Sequence, residues 1–326
     1  MSASHLNRRF LLATLGATAL ALTGCGGGND DTGATAGTEG SVAAGVDLDG
    51  VKIAVGSKEF TEQLVLGQIA VQALRAAGAD VEDRTNITGT STVRSALEGG
   101  DIDAYYEYTG TGWITILGNA APVAGAQEQF DAVKKADATN KITWFAQAPA
   151  NNTFAIAANE QAVAEFGVAS LSDYGRLAAQ DPEAAALCSS PEFITRDDGL
   201  PGVEKTYGFD LPNDRVIQLE PALVYQQVGQ GDQCDFAVVF ATDGQVAGQG
   251  LTVLEDDKAF FPPYNVAMTM REEAYSAHAE AYEQLFGAIS EKLTGEQLTE
   301  LNAKVDVEGE QAEDVAGEFL REAGIV

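Results

Sequence analysis

From Val51 the chain alternates short apolar runs with amphipathic stretches. Val51-Lys52-Ile53-Ala54-Val55 has the composition of a strand and ends at Gly56-Ser57. Thr61-Glu62-Gln63 then offers a capping side chain and an acid for a first helical turn. Apolar residues at Leu66, Ile69, Ala70, Ala73 and Ala77 recur on one helical face, and Gly78 stops it. A strand near Val81 follows, then Thr90-Ser91 as a cap, a helix carrying Val93, Ala96 and Leu97, and a stop at Gly99-Gly100. In the second half, Phe154-Ala155-Ile156-Ala157 and Phe236-Ala237-Val238-Val239-Phe240 read as buried strands, the latter followed by a turn at Asp243-Gly244. Helical spacing covers Leu171 to Ala179 and Ala222 to Val228. It returns in the C-terminal segment, where Thr294 and Gln297 stand as a capping box ahead of Leu298 and Leu301. Strand and helix in alternation predict an α/β protein with parallel sheets covered on both faces, whose ligands sit at the carboxyl ends of strands.

The N-terminal segment follows another pattern. Arg8 and Arg9 precede an uncharged run from Phe10 to Leu22, shorter than the roughly 20 residues a spanning helix needs and suited to a secretory signal. The run ends in Leu22-Thr23-Gly24-Cys25, which resembles the lipobox of bacterial lipoproteins. Residues 1–24 are therefore expected to be a signal peptide and Cys25 the acylated mature N-terminus. The arginine pair before Phe-Leu-Leu also resembles a twin-arginine export signal. Gly, Thr, Ala and acid dominate the next stretch, and residues 25–48 are expected to form a flexible tether. The protein is thus expected on the outer face of the cytoplasmic membrane, held by lipid. Disulfides persist there, and Cys188 and Cys234 are the two cysteines left to pair; two buried free thiols are the alternative.

Charge narrows the functional classes. With 49 Asp+Glu against 19 Lys+Arg, the formal net charge is −30, a field that repels polyanions and excludes a nucleic-acid partner. The 45% of hydrophobic residues is enough for a substantial core and too much for a disordered acidic chain. Catalytic constellations are missing: His278, in a polar helical segment, is the one histidine beyond the signal, and the sequence has no Walker A loop, no His-Glu-x-x-His and no metal-ligating cysteine spacing. Asp47-x-Asp49-Gly50 and Asp197-Asp198-Gly199 lack the remaining ligands of a calcium loop. An enzyme is not expected, nor a cofactor or metal. What stands out is aromatic placement. Tyr105-Tyr106-x-Tyr108 ends a predicted strand and runs into Thr109-Gly110-Thr111-Gly112, expected to be backbone-flexible. Phe260-Phe261-Pro262-Pro263-Tyr264 is a second cluster, and Phe154 and Phe240 lie at strand ends. Lys58 and Arg196 are isolated cations among these.

Gly56-Ser57-Lys58-Glu59-Phe60-Thr61-Glu62-Gln63 and Glu107-Tyr108-Thr109-Gly110-Thr111 are similar to signatures of one family. So, in order, are Asn152-Thr153-Phe154, Arg196-Asp197-Asp198-Gly199, Thr242-Asp243-Gly244 and Phe261-Pro262-Pro263-Tyr264. Over about residues 50–325 the chain resembles the substrate-binding proteins of ABC importers for quaternary ammonium osmoprotectants such as glycine betaine, carnitine and choline. The resemblance implies a two-lobed, type II periplasmic-binding-protein-like fold with two crossings between lobes: residues 49–150 with 258–326 as one lobe, and 151–257 as the other. It further implies a monomer that captures a small quaternary ammonium ligand and passes it to a membrane permease. Tyr108, Phe154, Phe240 and Tyr264 fall where the family places its aromatic cage, Lys58, Thr111 and Arg196 where it holds a carboxylate, and Asn152 near the cation. A quaternary ammonium cannot donate hydrogen bonds, so ring faces are its natural partners, at roughly 0.5–2 kcal/mol each. Phe154 and Phe240 depart from the family's usual tyrosine, and a point charge beside a guanidinium fork favours a zwitterion with a carboxylate over choline. Another small amine or amino acid on the same fold is the alternative.

Overall fold

The computed structural model describes Thr38 and residues 40–326, except Ala120, Ala121, Ala124 and Asp197. The signal segment, Cys25 and most of the expected tether lie outside the described residues. Strands β1 (Lys52–Lys58), β2 (Asp80–Ile87), β3 (Ala104–Tyr108) and β4 (Ile142–Phe145) come first. They are followed by β5 (Phe154–Ala158), β6 (Leu187–Ser189), β7 (Val216–Gln218), β8 (Phe236–Phe240), β9 (Thr252–Val253) and β10 (Val266–Arg271). These make two five-stranded sheets, ordered β2-β1-β3-β10-β4 and β7-β6-β8-β5-β9. Each sheet with its helices is one lobe, and the chain passes between them twice, through residues 146–153 and 254–265.

The sheets are mixed rather than parallel. β1 runs parallel to β2 and β3, but β10 lies antiparallel between β3 and β4. In the other sheet β6 is parallel to β7 and β8, while β5 is antiparallel to β8 and β9. The two strands inserted against the grain, β5 and β10, are the first strand after each passage. Arriving from the other lobe, they have no helical crossover of their own sheet to impose a parallel direction.

The first sheet is covered on one face by the helix Thr61–Ala76, whose Val65, Leu66 and Ile69 are fully buried. Each such side chain contributes roughly 1.5–3 kcal/mol of burial. Neither Thr61 nor Thr90 caps its helix: the N-caps are Phe60 and Gly89, with no side-chain cap bond, and the Thr61 hydroxyl donates to Asp306 instead, at 2.5 Å. Thr294 does cap, accepting from the Gln297 amide. Asp243-Gly244 opens a short helix, Gly244–Gly248, rather than a simple turn. A Cβ at Gly244 would lie 2.4 Å from the Ala303 nitrogen, so only glycine lets this helix rest backbone to backbone on the helix Gly295–Asp306.

The end of the expected tether belongs to the folded body. Ala43, Val46 and Leu48 are buried, the Ala43 amide donates to Ile325 O and the Leu48 amide to Ala77 O, both at 2.9 Å. Cys188 in β6 and Cys234 just before β8 form a disulfide, their Cα atoms 5.8 Å apart.

Candidate functional site

The carboxyl ends of β1 and β3 carry Lys58 and Tyr108, and the Thr109-Gly110-Thr111 segment continues from β3 as a buried helical turn. This segment is not loose. A Cβ at Gly110 would stand 2.7 Å from the Tyr264 ring, so glycine here lets the turn pack against that ring. Across the cleft, Phe154 opens β5 and Phe240 closes β8, directly paired in the antiparallel register. Arg196 follows the helix Pro191–Thr195, and Tyr264 and Asn152 sit on the two passages between lobes. There the Asn152 amide donates to Tyr264 O, and the Tyr264 amide to Asn151 Oδ1 at 2.7 Å.

All eight residues, Lys58, Tyr108, Thr111, Asn152, Phe154, Arg196, Phe240 and Tyr264, line one cavity of about 50 Å³, joined by Phe60, Thr90 and Glu192. Phe60 is the ring that sequence reasoning missed. Its centroid lies 6.2 Å from Tyr108 and 5.6 Å from Phe240 in stacked geometry. Phe240 to Phe154 is 5.0 Å, and Phe154 to Tyr264 is 5.8 Å edge-on. Five rings thus form a continuous arc. The available signal was an aromatic at a helix N-cap, two residues after Lys58, in an otherwise polar stretch.

The two cations are not isolated. Lys58 Nζ pairs with Glu107 Oε1 at 2.7 Å, both buried, and stands 5.2 Å above the Tyr108 ring. The Arg196 guanidinium forks onto Asp198, at 2.8 Å from Nε and 2.6 Å from Nη2. Its Nη1 donates to Glu192 at 2.7 Å, and its Cζ lies 5.1 Å from the Phe154 centroid. Burial works against the Arg196 charge, but the Asp198 carboxylate outweighs it and raises the guanidinium's pKa further. The same pair holds Asp198 below the usual carboxylate range despite its burial. The Glu192 side chain is 52% exposed, so it is the acid most easily exchanged for another carboxylate.

A second polar layer centres on Glu62, which the sequence pattern read only as a first-turn acid and a motif residue. Glu62, 3% exposed, accepts from Tyr108 Oη and Asn152 Nδ2 at 2.8 Å each, from Thr242 Oγ1 at 2.5 Å and from Asn302 Nδ2 at 3.0 Å. Tyr264 Oη donates to Asp198. Phe60, Asn152 and Phe240 line both the main cavity and a smaller one of about 10 Å³, whose walls also include Glu62, Asp243, Asn302 and Asp306.

Residues 51–322 match the family described as the substrate-binding domain of the ABC-type glycine betaine transport system. The chain belongs to this family. It is 34% identical over 273 residues to a glycine-betaine-binding protein of Pseudomonas aeruginosa, covering 82% of this chain and 86% of that one. With the glycine betaine-binding protein YehZ of Escherichia coli it shares 35% over 281 residues, covering 83% and 90%. The solved structure of apo YehZ superposes with a TM-score of 0.65 at 34% identity, over 84% of this chain and 99% of that one. Members of this substrate-binding family are extracytoplasmic components of ABC importers, not enzymes.

Asp243 and Asp306 stand where the lobes touch in this binding protein. Burial, reinforced by the charges of Asp306 and Glu62, pushes the Asp243 carboxyl up to about 7, and burial also raises Asp306. A carboxyl raised on folding keeps a proton that the unfolded chain gives up, so stability is full below about pH 4 and declines as pH rises toward 7. Asp243→Asn retains the cap on the Gln245 amide and removes the charge. The full shift corresponds to at most about 4 kcal/mol. Because the carboxyl keeps some contact with solvent, urea denaturation at pH 8 should show a gain of about 1–2 kcal/mol. Near pH 4 the two proteins should nearly coincide; a variant less stable than the parent at pH 8 contradicts the account.

Proposed function

We propose that this cavity captures a quaternary ammonium compound of the glycine betaine type and that the protein delivers it to an ABC permease. The observation that carries the reading is the arc of five rings, Tyr108, Phe60, Phe240, Phe154 and Tyr264, around one cavity at the meeting of two lobes. Ring faces attract a charge that has no hydrogen to donate. Lys58, Thr111 and Arg196 receive the ligand's carboxylate, which takes the place of Glu192 on Arg196 Nη1, while Asn152 stands by the cation. Phe154 and Phe240 supply ring faces without hydroxyls, so the cage holds its ligand with fewer polar constraints than four tyrosines would impose. Ligand contacts to both lobes favour the closed form. The lobes are residues 49–150 with 258–326, and 151–257. The protein acts as a monomer, tethered through acylated Cys25 to the outer face of the cytoplasmic membrane.

One observation favours a second ligand of the same class. Lys58 and Arg196 already hold carboxylates of the protein, so an ammonium without a carboxylate, such as choline, enters without exchanging an ion pair. Calorimetric titration with glycine betaine, choline and a neutral amino acid decides. Betaine is expected to bind and, at 100 times its dissociation constant, to stabilise the fold by about 2.7 kcal/mol. Binding of the amino acid alone overturns the quaternary ammonium reading.

A further inference from the structure

The arc of rings contains three phenylalanines and two tyrosines, and the two hydroxyls share one arrangement. Tyr108 Oη donates to Glu62 Oε1 at 2.8 Å, and Tyr264 Oη donates to Asp198 Oδ2. Both acceptors are carboxylates, and both are buried, at 3% and 6% exposure. Each is fixed by further donors. Three besides Tyr108 converge on Glu62, from residues 152, 242 and 302, and Asp198 is clamped by the Arg196 fork. Two tyrosines of one cavity, on different segments, therefore each rest a hydroxyl on an immobilised acid that is not itself among the residues lining the cavity.

On the reading that this cavity holds a quaternary ammonium, we propose that Glu62 and Asp198 are positioning residues for its cation. Each takes the hydroxyl of one cage tyrosine, fixes the plane of that ring and enriches its face with electrons. The physical basis is that an O–H donating to a carboxylate makes a strong, charge-assisted bond. The bond draws the proton toward the acid, and the phenol ring gains electron density. A richer ring attracts a cation more strongly through its quadrupole. It also costs rotational freedom of the ring before binding rather than during it. The effect depends on the charge of the ligand, whereas simple packing does not, and this separates the two.

The test uses choline and its carbon isostere 3,3-dimethylbutan-1-ol, which keeps the shape and loses the charge. Tyr108→Phe and Tyr264→Phe each delete one oxygen and keep the ring. Choline affinity should fall about five- to tenfold in each, while affinity for the isostere stays within about twofold. Glu62→Gln, whose amide oxygen still accepts from Tyr108, should show the same selective loss; Tyr108→Phe carries the test should Glu62→Gln fold poorly. Choline affinity unchanged in both Phe variants overturns the proposal, and so does an equal loss for the two probes, which a purely structural role predicts. Wild-type protein that binds neither betaine nor choline overturns the quaternary ammonium reading, and this inference with it.

Discussion

Protein lacking the Cys188–Cys234 bond should be less stable by about 4 kcal/mol, the chain-entropy value for a closed loop of this length, since the bond spans 46 residues. Both sulfurs are buried in a small core with Ala157, Val224, Val228 and Val239, so Cys188→Ala with Cys234→Ala adds only a modest packing loss. The bond ties β6 to the start of β8, and β8 ends at Phe240. Local loosening of β8 therefore reaches the cavity-lining Phe240 through one strand. Urea denaturation with and without reductant measures the cost, and a change below about 1 kcal/mol would falsify the account. Because the bond needs an oxidising compartment to form, it fits a family whose members work outside the cytoplasm.

Local pattern revealed much of this fold. β5 and β8 were legible because each is a continuous apolar run bounded by polar or turn residues, as a strand buried on both faces must be. The helix through Leu66 and Ile69 was legible from its spacing. Its start at Thr61 was legible too, but its cap was not: Thr61, like Thr90 in the helix Thr90–Gly99, looks like a cap in sequence yet is the first residue of its helix, where the capping geometry is gone. The direction of β10 could not be read either. It is set by pairing with β3 and β4, more than 100 residues earlier, and pairing at that distance leaves no local trace.

The site divides the same way. The ring positions and the cations carry their own chemistry, so Tyr108, Phe154, Lys58 and Arg196 could be nominated from the sequence. Their partners could not. Glu62 looks like a first-turn acid of a helix, a role open to any exposed glutamate. It is buried because Tyr108, Asn152, Thr242 and Asn302 converge on it from positions 46, 90, 180 and 240 residues away. Likewise nothing in the spacing of Arg196 and Asp198 tells whether the guanidinium faces solvent, a ligand or its neighbour; the fold, which buries both, decides.

Arg196→Ala should cost roughly 3–5 kcal/mol of stability near pH 7, because it strands Asp198 as a buried carboxylate without its cation. A simple ligand-contact role predicts something narrower: loss of betaine, with choline nearly untouched. The geometry argues otherwise. Asp198 also receives the Tyr264 hydroxyl, and once Arg196 is gone the unpaired acid must find water or a proton, dragging Tyr264 with it. Betaine and choline should both bind more weakly. The pH dependence follows from Asp198, held below the ordinary carboxylate range in the parent. That pairing stabilises the fold above the unfolded value near 4 and is lost as pH falls through the folded value. The deficit of Arg196→Ala should therefore shrink in acid, where Asp198 takes up a proton in the variant. Adding Asp198→Asn to Arg196→Ala should recover more than half of the lost stability at pH 7, since no buried charge is then left alone. Denaturation of the parent, both single variants and the double variant, with calorimetry of betaine and choline on each, reads every part. If Arg196→Ala keeps its stability within 1 kcal/mol and its choline affinity unchanged, the guanidinium serves the ligand's carboxylate alone.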